Sequence, residues 1–277
     1  MTKAPSIIQL TKNASIDLTS SSFKSDGLRI WCTGESGAGK SNTNMLIASQ
    51  WLEAGNQLIV LDSHGEFGNL WPLRPGKVKR IGYGEPPVRE ESVDWVVGMM
   101  REGLSVLIDL SHWTDIDPQP LDRFIGKLMP ELYRFAREKP AHRLILLEEA
   151  HGFAPQKQSP GQYENIKLFI SMLTGGRKFG LHFLLSSQRG SLIEADVIAQ
   201  CNVRIFHRVS ELADWKRIKA NLPNKFPVDF GSKTKRDIRL FESGEAVIVS
   251  RWFETQRGRL NRPTVEVTKF LEEGDAA

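Results

Sequence analysis

Short apolar runs alternate along the chain with longer amphipathic segments. The runs at 28–33, 57–62, 105–110, 143–148, 181–186 and 203–208 are rich in Leu, Ile and Val, the pattern of strands covered on both faces. Between them, apolar positions recur with helical spacing at 40–54, 89–101, 118–138, 163–178, 194–200 and 211–220. Strands that alternate with helices predict an α/β protein with a mostly parallel sheet flanked by helices. Pro130 inside 118–138 is expected to kink that helix or to start a new one. Segment 152–161 is rich in Pro and Gly and is expected to be irregular and mobile. Segment 63–87 reads as a long connection that could hold a short strand at 78–81. After 221 the pattern changes to shorter strands near 246–252 and 264–268, read as a small C-terminal β appendage. The organisation expected is an N-terminal extension over 1–27, a core over 28–222, and a basic β appendage over 223–277 packed on the same domain.

The 277 residues suffice for one large α/β domain, and an apolar fraction of 40% is ordinary for a globular protein. The formal charge of +4 says little alone, but its distribution says more. Between Asn202 and Arg262 stand fourteen Lys or Arg against seven acids. Such an excess suits a phosphate backbone, or else a solvated face. The two cysteines, Cys32 and Cys201, have no metal-ligand spacing and read as reduced, partly buried thiols. The N-terminus lacks the apolar run of a signal peptide, and no stretch approaches the roughly 18 to 20 apolar residues of a membrane span. A cytoplasmic location is the expectation.

Gly34-Glu35-Ser36-Gly37-Ala38-Gly39-Lys40-Ser41 satisfies G-x-x-x-x-G-K-S/T, with an apolar strand before it and an amphipathic helix, in whose first turn Asn42 lies, after it. Glycines let backbone N–H groups curl around a β-phosphate, and the helix N-terminus adds partial positive charge. Lys40 would reach the β- and γ-phosphates of ATP, and the Ser41 hydroxyl would ligate Mg²⁺. The octet turns the α/β pattern into a P-loop NTPase expectation, with Gly34 to Asn42 as the nucleotide-binding run, but does not alone choose a family; with the paired acids downstream the expectation is a RecA-like core.

A second apolar strand ends in Glu148-Glu149-Ala150-His151. Paired acids at such a strand end hold Mg²⁺ through water with the first and polarise the attacking water with the second. Glu148 is therefore assigned to Mg²⁺ and Glu149 to water activation. Most such motifs place Asp first, so Glu148, one methylene longer, implies a rearranged metal shell. Run 181–186 leads into Ser187-Gln188-Arg189, where Gln188 is the candidate γ-phosphate sensor or water orienter. Asp62 closes run 57–62 and has two readings: a carboxylate near the nucleotide, or an Asp that starts a turn. His64, His112 and His151 show no metal spacing, and His151 reads as a residue that orients the turn after the paired acids.

The stretch Glu148-Glu149-Ala150-His151-Gly152-Phe153-Ala154-Pro155, then Gly176-Arg177-Lys178-Phe179-Gly180-Leu181, Ser187-Gln188-Arg189 and Val197-Ile198-Ala199-Gln200-Cys201-Asn202 resemble the HerA/FtsK superfamily of hexameric DNA-translocating ATPases, most closely its HerA-like branch. Asp62 with Gly65-Glu66-Phe67 is similar to that family's motif after the second strand. The resemblance spans roughly 28–222. It implies a homohexameric ring with ATP between subunits, double-stranded DNA as a partner without strong sequence preference, and a nuclease or other DNA-processing protein as a further partner. It makes Arg177 the arginine finger for a neighbour's γ-phosphate, with pairing to a surface acid as the other reading; Arg189 is a second candidate for such a contact. HerA-type proteins usually carry an N-terminal β-barrel, whereas fewer than thirty residues precede the first strand here, and the winged helix and membrane segments of FtsK-type pumps are missing. The expectation is a bare motor core. Its basic loops, 152–161 with Lys157 and 223–239 with Lys225, Lys233, Lys235 and Arg236, would track DNA phosphates or else be plain surface loops. A viral genome-packaging motor and an ATP-dependent switch without translocation are the alternatives.

Overall fold

The computed structural model describes residues 6–83, 88–113, 119–157 and 160–262. The chain opens with a small hairpin, β1 (Ile7–Gln9) and β2 (Ser15–Asp17), and a short helix α1 (Ser21–Asp26). There follow β3 (Arg29–Thr33), α2 (Lys40–Glu53), β4 (Gln57–Asp62), β5 (Val78–Ile81), α3 (Ser92–Arg101) and β6 (Ser105–Asp109). Then come α4 (Gln119–Glu138), β7 (Arg143–Leu147), α5 (Pro160–Gly175), β8 (Leu181–Ser187), α6 (Ala195–Ala199), β9 (Val203–Phe206) and α7 (Leu212–Lys219). The last strands are β10 (Glu245–Ser250) and β11 (Gln256–Arg259).

Among the described residues, nine strands form one sheet in the order β11-β10-β9-β3-β8-β7-β4-β6-β5. From β9 to β5 all neighbours are parallel, whereas β10 and β11 run antiparallel. Alternate residues of each strand feed two apolar layers, because successive side chains of a strand point to opposite faces. Ile30, Cys32, Leu58, Val60, Leu144, Leu146 and Leu184 pack against α2 on one face. Trp31, Ile59, Leu61, Ile145, Leu147, Phe183 and Leu185 pack against α3, α4 and α5 on the other. The N-terminal hairpin belongs to the first layer: Ile8, Leu10, Ile16 and Phe23 are buried there, and Gln9 N donates to Gln50 Oε1 at 2.7 Å.

The six core strands lie where the apolar runs place them, and the short strand at 78–81 is present as β5. No second helix begins at Pro130; α4 continues through it. Helix α5 starts at Pro160, three residues before the reading from periodicity, since a proline in the first turn forfeits no intrahelical bond. The 176–179 end of that predicted helix is a tighter 3-10 turn. The C-terminal β segment joins the sheet edge, with Val247 and Ile248 registered on Phe206 and Ile205. The strand expected at 264–268 lies outside the described residues. Strand β11, Gln-Arg-Gly-Arg, had no apolar alternation to announce it. Both cysteines are free and buried, and among the described residues no helix is long and apolar enough to cross a membrane.

Candidate nucleotide site

Because β3, β8, β7 and β4 are parallel neighbours, their C-terminal ends open on the same edge of the sheet. The loop after β3 is the glycine-rich octet, and α2 begins at its Lys40. Gly39, at φ 107°, occupies a conformation that side-chain-bearing residues avoid. It is also crowded: a Cβ there would lie 2.6 Å from Gly244 N. Gly244 N in turn donates to Ala38 O at 3.0 Å, so the 242–245 turn before β10 is seated directly on the phosphate loop.

Lys40 is buried, and its Nζ donates to Glu35 O at 3.0 Å, folded back along the rim of its own loop. Burial draws the ammonium below its ordinary pKa, while Cys32 and the acids Glu149, Glu148 and Glu66 act against that. The Glu35 side chain turns away from the cleft to pair with Arg208, Nε to Oε1 at 2.5 Å. Behind the loop, fully buried His207 donates from Nδ1 to Glu245 O at 3.1 Å and lies 2.9 Å from Thr43 Oγ1 through Nε2. The carbonyl partner puts the proton on Nδ1 and leaves Nε2 as acceptor. Burial pushes the His207 pKa down to about 4.

A cleft of about 570 Å³ is lined by Ser36, Gly37, Gly39, Lys40, Ser41 and Asn42 from the phosphate loop and α2, with Glu148, Glu149, Ser186 and Gln188 opposite. His64, Glu66 and Ser243 complete it. Lys40, Ser41, Asn42, Glu148, Glu149 and Gln188 thus meet as the sequence reading expects. Gly34, Glu35 and Ala38 contribute backbone to the loop without lining the cleft.

Glu149 sits at φ 48°, a left-handed conformation that costs a non-glycine residue roughly 1 kcal/mol or more. Its carboxylate is held from two sides: Gln188 N donates to Oε2 at 3.1 Å, and His151 Nδ1 lies 3.2 Å from the same oxygen. Burial works to raise the pKa of Glu149, but the His151 and Gln188 hydrogen bonds outweigh it and hold the group below its ordinary value. The result is an aimed, ionised carboxylate facing the phosphate loop, the form a general base needs.

Glu148 is buried at 5% exposure and more heavily engaged. His64 N donates to its Oε2 at 3.2 Å, and His64 Nδ1 stands 3.3 Å from Oε1. The hydrogen bond to Glu148 raises the His64 pKa to about 9. Asp62 lies beneath, wholly buried, and does not line the cleft. Its oxygens accept from His64 N at 3.2 Å, Glu66 N at 3.1 Å, Phe67 N at 2.8 Å and Tyr83 Oη at 2.5 Å. Of its two readings, the structure favours the turn-starting one. Burial and the neighbouring Glu148 push its pKa up to about 8.

Arg177 is exposed in the turn before β8, whereas Lys40 follows β3. As β3 and β8 are parallel, the two residues stand at opposite ends of the sheet. A Cβ on Gly27 would lie 2.9 Å from Arg177 Cβ, which fixes the guanidinium-bearing residue at the far edge. Arg177 therefore stands away from its own chain's cleft, on the side of Asp26. Arg189 is already paired, its Nε 3.4 Å from Asp214 Oδ2, which weakens it as a candidate for contact with a neighbour.

Segment 152–157 is not loose. Gln156 N donates to Leu192 O at 2.8 Å and Glu194 N to Ala154 O at 2.9 Å, so the turn after the paired acids is pinned to segment 192–194, with Pro155 bridged to Ile193. Residues 158–159 lie outside the described residues. A second cleft of about 610 Å³ opens on this side, lined by Asp122, Phe153, Lys157, Gln162 and Arg189, and it shares His64, Glu149 and Gln188 with the first. His64, Glu66, Ser243 and His207 were not singled out for this site from sequence. The first two sit in the Asp-Ser-His-Gly-Glu turn, which offered a signal, but Ser243 and His207 arrive from distant segments and offered none.

A hard divalent cation fits the donors present. Ser41 offers a hydroxyl, and Glu148, Glu149 and Glu66 offer carboxylate oxygens into the same cleft. Among the described residues no group of three or more His, Cys, Asp or Glu side chains converges on a bare ion. That is the arrangement Mg²⁺ tolerates, since it keeps its waters and takes phosphate oxygens as ligands.

Residues 32–122 match the family described as the central domain of the helicase HerA. A probable helicase of Methanocaldococcus jannaschii is 34% identical over 116 residues, 41% of this chain and 20% of that protein. The DNA double-strand break repair helicase HerA of Pyrococcus furiosus is 31% identical over 106 residues, 38% of this chain and 18% of that protein. The matched stretch is therefore about a fifth of the length of these relatives. In structure, VirB4 of Thermoanaerobacter pseudethanolicus superposes with a TM-score of 0.62 at 12% identity, covering 89% of this chain and 92% of its own. The genome packaging NTPase B204 of Sulfolobus turreted icosahedral virus 2, solved with AMP, gives 0.54 at 15% identity, covering 83% and 96%. At these identities the likeness is one of fold.

Proposed function

We propose that this chain is a HerA-like P-loop ATPase that works as the hydrolytic motor of a homo-oligomeric ring, most simply a hexamer, moving double-stranded DNA in the cytoplasm; the match of residues 32–122 to the HerA central domain and the P-loop fold support this. The observation that carries the reading is one cleft in which Lys40 and Ser41 face Glu149 and Gln188. ATP would lay its phosphates on the 34–41 backbone, with Lys40 leaving Glu35 O for the β- and γ-oxygens. Ser41 and, through water, Glu148 would hold Mg²⁺. When bound, Mg²⁺ would supply positive charge that offsets the charge of the phosphates.

Glu149 would take the proton of a water whose oxygen bonds to the γ-phosphorus as the bond to the β,γ-bridging oxygen breaks and ADP leaves with that electron pair, while Gln188 orients the water. The hydrogen bonds from His151 and Gln188 keep Glu149 ionised, and its left-handed backbone aims it. Arg177 of a neighbouring copy would neutralise charge on the transferred phosphoryl group; a guanidinium in that role is commonly worth about 10³ to 10⁵ in rate. The exposed cations Lys225, Lys233, Lys235 and Arg236, together with Lys157 at the rim of the second cleft, suit phosphate tracking with little base readout.

Steady-state hydrolysis and nucleotide binding by wild type, Lys40→Ala and Glu149→Gln test this reading. Lys40→Ala should lose both. Glu149→Gln should retain nucleotide and turn over slower by about 10² to 10⁴. DNA should stimulate the wild type, less so as salt rises. Full turnover by Glu149→Gln would remove that acid from the mechanism, and a DNA-indifferent monomer would favour a switch over a motor.

A further inference from the structure

Glu66 enters the phosphate cleft from the turn after β4, beside Lys40, Ser41, Glu148 and Glu149. Its Oε2 is shielded from solvent and has no hydrogen-bond partner among the described residues. A buried carboxylate oxygen without a donor is costly, and such exceptions call for an explanation. The placement is not accidental slack, because Glu66 N is tied to Asp62 Oδ1 at 3.1 Å and the next amide, Phe67 N, to Asp62 Oδ2 at 2.8 Å. Asp62, itself out of reach of the cleft, fixes the turn that presents Glu66.

The neighbouring acids are differently committed. Both Glu148 oxygens are engaged by His64, and Glu149 Oε2 by Gln188 N and His151. Lys40 feels Glu66, yet its Nζ donates to Glu35 O. A triphosphate entering here would be repelled by an unpartnered carboxylate unless a cation stood between them. Mg²⁺ holds several waters even when bound, and each carries protons that must be accepted.

We propose that Glu66 is a further positioning residue of the site, accepting hydrogen bonds from the water shell of the divalent cation that arrives with the nucleotide at Ser41. The assignment rests on the ATPase reading above. It shares among Glu66 and Glu148 the task that the paired-acid motif gives to Glu148 alone, and it accounts for the lengthened first acid: Glu148 reaches back to the His64 turn, and Glu66 serves the metal waters.

The test is metal coupling, read without turnover. The whole chain is titrated with a fluorescent, non-hydrolysable ATP analogue in Mg²⁺ and again in EDTA, and the ratio of the two Kd values is compared between wild type and Glu66→Gln. Loss of an outer-shell acceptor should cut the ratio about tenfold or more, with the EDTA Kd unchanged or tighter. Competition by Mn²⁺, followed through its free-ion EPR signal, should show the same loss. Glu66→Asp, which keeps the charge, should restore part of the ratio and serves if Glu66→Gln does not fold. A wild-type ratio in both variants overturns the proposal. Wild-type protein that binds nucleotide in neither buffer instead overturns the ATPase reading, and this proposal with it.

Discussion

Replacing Gly39 by Ala probes the contact that joins the two ends of the chain at the phosphate loop. The new Cβ would meet Gly244 N at 2.6 Å and Gly244 Cα at 2.9 Å, both backbone atoms that no rotamer change can move. The backbone at φ 107° adds strain of roughly 1–3 kcal/mol for a residue with a side chain. Displacing Gly244 also breaks its 3.0 Å bond to Ala38 O, about 1 kcal/mol net. The sum is about 3 kcal/mol. Gly37→Ala is the control: its φ of 72° carries strain, but nothing lies within 4 Å of the added methyl, so about 1 kcal/mol is expected. The difference, about 2 kcal/mol, corresponds to roughly 4–8 °C in melting temperature for a chain of this size. Thermal unfolding of both variants without nucleotide measures it. Equal losses in Gly37→Ala and Gly39→Ala would refute the seating of the 242–245 turn on the loop. Since that turn brings Ser243 to the cleft and Glu245 O to His207, the same seat also explains why C-terminal residues should affect nucleotide affinity.

Mixing inactive Arg177→Ala subunits with inactive Lys40→Ala subunits should restore part of the ATPase activity, because each sheet end then finds an intact partner; no recovery at any ratio would exclude Arg177 as a residue supplied by a neighbour. His207 has a folded-state pKa near 4 against an ordinary 6.5. Its stabilisation is therefore complete above about pH 6.5 and is lost as pH falls toward 4, by up to about 3 kcal/mol. Denaturant titrations across that window should show the loss, and less of it in His207→Gln, with a residue left by buried His182. Asp214→Ala removes the acceptor of Ser191 N at 2.8 Å and the partner of Arg189, so a loss of about 1–3 kcal/mol should appear in the unfolding midpoint.

The glycine-rich loop was legible because its geometry is local. Eight consecutive residues set the turn, and their spacing alone brings Lys40 and Ser41 to the cleft beside Ser36, Gly37 and Gly39. The core strands were legible for a similar reason, since a strand covered on both faces must be apolar throughout. Helix ends were less so: Pro160 and the 176–179 turn depend on where neighbouring segments stop the chain, not on periodicity. The 152–157 turn looked loose from its composition but is held by backbone bonds to 192–194, a partner its own residues do not reveal. Asp62 had an even choice of roles, decided only when Tyr83 and three amides were found on its oxygens.

By itself, then, the amino-acid order was enough to expect an α/β core with a glycine-rich loop ahead of Lys40 and Ser41 and a strand ending in Glu148 and Glu149. Tertiary structure decided which acids share the cleft, that Arg189 is spent on Asp214, and that Arg177 stands at the far end of the sheet. The physical reason is the order β3-β8-β7-β4: parallel pairing gathers the C-terminal ends of strands far apart in sequence. Side chains such as Glu66, Glu149 and Ser243 become neighbours only through that pairing and the turn seated on Gly39, and no spacing along the chain encodes it.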